Sequence, residues 1–163
     1  MKTTDTSKIP FFHNFIATGF GSGYSPVAPG TAGALVATFI WWGYSAALND
    51  YISIISITAI LVIVFTVLGV WSSGVSEKYW GEDPSRVVVD EMVGTWIALL
   101  AVPENGHWGY MIAAFALFRF FDILKPLGIR KMEKLPGGYG IMADDILSGI
   151  YGMIVIFIFR LLV

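Results

Sequence analysis

Five carboxylates fall in three short runs of this sequence: Asp90 and Glu91 in DPSRVVVDE, Asp122 in FRFFDILKP, and Asp144 and Asp145 in GGYGIMADD. Asp90 and Glu91 stand roughly one helical turn, about 5 Å, inside an apolar run that begins at Val87. Ionised carboxylates at that depth are costly unless they are paired, metal-bound or wetted, which makes them candidates for function. An Arg86–Asp90 ion pair at i,i+4 would account for Asp90 but leaves Glu91, about 100° further around a helix, without a partner.

Asp144 and Asp145 precede the last apolar stretch, where a single aspartate would serve as a helix cap. Two in succession after the flexible GGYG also suit presentation to a ligand. Asp122 has Arg119 and Lys125 at i−3 and i+3, on one helical face. The three are either a salt-bridge ladder or a further carboxylate flanked by two phosphate-binding cations. Pro126 then ends the helix and re-aims the chain.

The chain has no cysteine, so thiolate nucleophiles and Cys-based metal sites are excluded. His13 and His107 are its two histidines. Five carboxylates without soft ligands select a hard divalent cation such as Mg2+, held among Asp90, Glu91, Asp122, Asp144 and Asp145. The segment GFGSGYSPVAPGT adds Gly21, Ser22, Gly23, Gly30 and Thr31, whose backbone N–H groups and hydroxyls suit an anion at the start of a helix. The same glycines suit close packing, since Gly19 and Gly23 form GxxxG, and their spacing matches neither a P-loop nor a dinucleotide fingerprint. A hard cation beside Lys125, Arg119 and a glycine-rich surface points to phosphate.

These groups must be positioned by apolar helices. The chain has 163 residues, of which 56% are hydrophobic and 13% charged, about half the usual share of charge in a soluble domain. Mean hydropathy is +0.71. Neither a linker nor a repeat divides the sequence, so one domain spanning 1–163 is expected. A net charge of −2 leaves no basic footprint for nucleic acid. The amino terminus lacks a signal-peptide core and reads as an amphipathic segment of the mature protein.

Five segments are candidate membrane-spanning helices: 32–49, 51–74, 87–102, 108–124 and 146–163. The expected fold is an all-α, polytopic membrane protein. With the amino terminus inside, Lys2, Lys8, Lys78, Arg86, Arg119, Lys125, Arg130, Lys131 and Lys134 fall on one side and only Arg160 on the other, which makes the crowded side cytoplasmic. The three acidic runs and the glycine-rich segment then meet at a cytoplasmic-face site, while His107 lies on the outer side.

Taken together, GFGSGYSPVAPGTAG, VVVDEMVGTW and FRFFDILKPLGIRKMEKLPGGYGIMADDILSG resemble the phosphatidylglycerophosphatase A family, in order from about Thr18 to Gly152. The resemblance implies a Mg2+-dependent phosphatase that converts phosphatidylglycerophosphate to phosphatidylglycerol in the bacterial inner membrane. Asp90 and Glu91 match the family's DE pair, Asp122 and Lys125 its FDxxKP-type motif, and Asp144 and Asp145 its DD pair. Two other classes remain open on the residues alone: a divalent-cation transporter and a non-catalytic membrane scaffold. A transporter would carry acidic groups along a path toward the membrane centre, whereas here they stay at one end.

Overall fold

The computed structural model describes residues 9–48, 50–104 and 108–162. Among the described residues there are seven α-helices, a 3-10 turn at Ser22–Tyr24 and no strand. The helices are α1 (Phe11–Ala17), α2 (Pro29–Ala47), α3 (Tyr51–Trp80), α4 (Val89–Leu99), α5 (Trp108–Leu124), α6 (Ile129–Met132) and α7 (Gly138–Leu162). Lys2, Lys8 and His107, which entered the sequence-based reading of orientation, lie outside the described residues.

Each of the five apolar segments is helical, and α5 has the expected bounds. Asp50 caps α3 by accepting from the backbone N–H groups of Ile52 and Ser53 at 3.3 and 2.9 Å. The helix continues past Gly74 to Trp80, and α7 begins at Gly138 rather than Ile146. Hydropathy falls where these helices turn polar, but their backbone ladders continue. Asp144 and Asp145 therefore lie within α7, not at its N-terminus, so helix capping does not explain them.

α3 and α7 are long and apolar enough to cross a membrane. Helix dimensions confirm fewer than the expected five or so crossings: α4 has 11 residues, a length of about 16 Å, short of a full span, and α5 with 17 is at the lower limit. In the apolar windows of α3 and α7 only 11% and 28% of residues are buried, so Ile63 and Val67 on α3 and Phe157 and Leu161 on α7 face outward. The core helix of a water-soluble protein would instead be enclosed.

The enclosed helix is α4. Every residue in it except Glu91 is buried, and it packs against α2, α3, α5 and α7. Trp96 donates its indole N–H to the Ala37 carbonyl of α2 at 3.0 Å, fixing one side. On the other side Gly94 and Gly149 allow α4 and α7 to touch: a Cβ on Gly149 would overlap the Gly94 carbonyl, and one on Gly94 would lie 2.6 Å from the Asp145 carbonyl oxygen. At the far end Arg160 donates to the Ala101 carbonyl at 2.9 Å. The chain entering α4 is seated by the end of α1, through a 2.8 Å hydrogen bond from Val88 N–H to the Ala17 carbonyl, and by the glycine-rich segment, through Gly23, where a Cβ would overlap the Arg86 carbonyl.

Candidate active site

The Gly94–Gly149 crossing determines where the acidic pairs meet. Asp90 precedes Gly94 by four residues and Asp145 precedes Gly149 by four, so both carboxylates lie about one turn from the point of closest approach, on helices running the same way. Asp90, Glu91 and Asp145 bring one carboxylate oxygen each within 4.8 Å of one another, a grouping that could hold a metal ion. Asp90 and Asp145 are buried, at 8% and 3% exposure. The Asp90 Oδ1 and Glu91 Oε2 atoms are buried without a hydrogen-bond partner. Buried acceptors are costly when unsatisfied, and carboxylates this close repel unless a cation or protons neutralise them. Hard oxygen donors with free lone pairs fit a divalent cation such as Mg2+.

The other two carboxylates are engaged differently. Asp122 accepts a hydrogen bond from Arg119, and Asp144 accepts one from the Lys125 ammonium at 2.6 Å. The expected ladder along α5 is thus half formed: Arg119 stays with Asp122, while Lys125 reaches across to α7. It does so from a reversed backbone, since Lys125 and Leu127 have φ of 46° and 53° around Pro126, and Gly128 follows at 91°. Burial alone would lower the pKa of Lys125, but hydrogen bonds to Asp144 and Glu133 hold it above the ordinary lysine value. Asp122 is not part of the group of three, but it lines the same cavity. The Arg119 guanidinium lies 5.8 Å from the centre of the Phe118 ring and keeps a buried, unpartnered Nε–H.

No ion pair joins Arg86 and Asp90 among the described residues; Arg86 lies over the rings of Tyr24 and Trp80 at 5.8 and 6.0 Å. His13 packs edge-on against Trp71, with ring centres 4.6 Å apart, and is not part of the carboxylate group.

A cavity of about 1120 Å³ opens over the acidic group, and all five carboxylates, Arg119, Lys125 and Gly30 line it. Gly30 leaves room there for the Glu91 carboxylate: a Cβ would overlap Glu91 Oε1 and lie 3.4 Å from an Arg119 nitrogen, so a side chain at this position would displace that carboxylate. Gly21, Ser22, Gly23 and Thr31 are not among its lining residues. Ser22 is spent on the Gly19 and Thr18 carbonyls, at 2.8 and 3.3 Å, and Gly23 on packing against Arg86. Sequence reasoning did not single out Glu133, whose carboxylate accepts from Lys125 at 2.7 Å, or Glu77, Lys78 and Lys134, which line the same cavity. No sequence spacing ties Glu133 to Lys125, because the turn through Leu127 and Gly128 creates their contact. A second cavity, about 570 Å³ between Trp41, Trp42 and Trp108, has Glu104 as its one charged lining group among the described residues.

With this geometry in view, comparison with known proteins is decisive on family. The model for Phosphatidylglycerophosphatase A matches residues 15–160. The chain belongs to the phosphatidylglycerophosphatase A family. A phosphatidylglycerophosphatase A from Haemophilus influenzae is 42% identical, with 88% of this chain and 86% of the relative covered. The phosphatidylglycerophosphatase A of Escherichia coli is 37% identical over 84% of this chain and 77% of its own. A Bacteroides thetaiotaomicron protein provisionally named as a phosphatidylinositol-3-phosphatase is 58% identical, with 92% and 94% covered. No solved structure matches the chain. Membership of this family makes the carboxylate-lined cavity a candidate phosphatase site.

Proposed function

We propose that the protein hydrolyses the terminal phosphate of phosphatidylglycerophosphate, giving phosphatidylglycerol and inorganic phosphate, with Mg2+ as its cofactor. One observation carries this reading: buried, unsatisfied carboxylate oxygens from α4 share a cavity with Asp145 and with two cations, in a chain of this family. Asp90, Glu91 and Asp145 would hold the ion. When bound, it would supply charge stabilisation to the phosphoryl oxygens and favour ionisation of water.

The protein's own groups do the rest. Lys125 and Arg119 offset negative charge on the non-bridging oxygens as the P–O bond to the lipid headgroup breaks. Asp144 and Asp122 hold those two cations in position. Water adds to phosphorus as the headgroup oxygen leaves; one of the three ion-holding carboxylates also orients that water and takes its proton, which is then delivered to the departing headgroup oxygen, so that phosphatidylglycerol and inorganic phosphate are released.

In this reading the protein is embedded in the bacterial inner membrane through several helices, with its cavity at the cytoplasmic face. The outward apolar surfaces of α3 and α7 support embedding, and the one-sided Lys and Arg distribution supports the orientation. The lipid's acyl chains would remain in the bilayer while its headgroup enters the cavity. Carboxylates gathered at one end of the bundle disfavour a transporter.

The 58% identical relative gives a second reading of the headgroup, a phosphorylated inositol, with the same phosphomonoester chemistry. Purified protein in mixed micelles with Mg2+, offered phosphatidylglycerophosphate and phosphatidylinositol 3-phosphate separately and in competition, decides between them. Preferential release from the first supports the proposal. Release from the second alone replaces the headgroup, and release from neither removes the phosphatase reading.

A further inference from the structure

Lys125 has two carboxylate partners of unequal kind. Asp144 belongs to the 25-residue α7, and its side chain is 8% exposed; Glu133 follows the four-residue α6 in an exposed stretch, and its side chain is 41% exposed. A solvent-exposed pair contributes little and gives way to a stronger anion, whereas a charge buried with its partner does not. The lysine ammonium is a compact point charge that suits a phosphate dianion, and the Glu133 carboxylate meets it at 2.7 Å inside the cavity.

We propose that Glu133 is a displaceable counter-ion, its carboxylate holding the place on the Lys125 ammonium that the phosphate of substrate or product takes. The inference rests on the phosphatase reading and extends it to a residue that tunes phosphate affinity. Asp144 keeps Lys125 in place throughout. Glu133 neutralises it when the cavity is empty of phosphate, and its exposed side chain turns out toward solvent when phosphate binds. This opposes binding slightly and assists release of the product.

Glu133→Gln removes the competing charge and nearly preserves shape. In the full chain in detergent micelles with Mg2+, KM for phosphatidylglycerophosphate falls about two- to five-fold, the range an exposed ion pair supports, while kcat stays within about two-fold. Inorganic phosphate, titrated by calorimetry, binds tighter by the same factor, a readout that does not depend on turnover. Glu133→Asp keeps the charge and stays closer to the parent than Glu133→Gln on both measures. An unchanged or raised KM and phosphate Kd in Glu133→Gln overturns the proposal. If the parent protein releases phosphate from no lipid while Glu133→Gln still binds phosphate more tightly, the catalytic reading fails and the counter-ion role stands.

Discussion

Gly94 of α4 and Gly149 of α7 meet backbone to backbone, and this contact sets Asp90 beside Asp145. Gly149→Ala forces the helices apart. It should cost about 1–3 kcal/mol, the usual range for overpacking, and lower kcat/KM by about tenfold or more because the carboxylates separate. Gly43→Ala is the matched control, since nothing lies within 4 Å of a Cβ there. It should leave activity unchanged. Thermal unfolding in micelles and steady-state kinetics on both variants check the pair.

Close carboxylates with unsatisfied oxygens should bind Mg2+ at the expense of the unfolded state. At about 100 times its Kd the ion adds about 2.7 kcal/mol of stability, visible as a higher Tm. Asp90→Asn and Asp145→Asn should lose that shift. Their metal-free Tm should not fall, because each removes a charge that repels its neighbours. Differential scanning calorimetry with and without chelator provides the test.

Lys125 is tied to Asp144 on the side away from solvent and faces the cavity with its charge secured. Lys125→Gln should reduce kcat/KM by about 10²- to 10³-fold, the scale for losing one donor to a developing charge, with the fold intact by circular dichroism. Lys125→Arg should recover part of that loss, because the charge returns with a different shape.

Much of this arrangement is legible in the sequence, and the reasons for the remainder are specific. Apolar run length locates α5 and the start of α3 at Tyr51, because hydropathy is a local property. The polar extension of α3 to Trp80 and the early start of α7 are hidden from hydropathy. Gly138 and Gly140 resemble loop glycines but are packing contacts, where a Cβ would overlap the Val70 and Leu135 carbonyls. The five carboxylates and two cations all reach one cavity, as their shared face suggests. Their division into a group of three and two cation-bound partners depends on a helix crossing and a left-handed turn. Within the glycine-rich segment composition suggests an anion site throughout, yet only Gly30 of its proposed residues lines the cavity.

The absence of cysteine makes the orientation directly measurable. Single Lys134→Cys and Glu104→Cys variants, labelled with a membrane-impermeant maleimide, should differ in access. Glu104→Cys should react in spheroplasts, and Lys134→Cys only in inverted vesicles. The reverse pattern would place the cavity on the outer face.

The most direct test of the metal-assisted phosphatase site is phosphate release from phosphatidylglycerophosphate by purified protein as Mg2+ is titrated, beside Asp90→Asn and Asp145→Asn. Turnover should rise with Mg2+, fall to background with chelator, and drop by about a hundredfold or more in each variant. Equal rates with and without the ion, or near-parental rates in both variants, would contradict it.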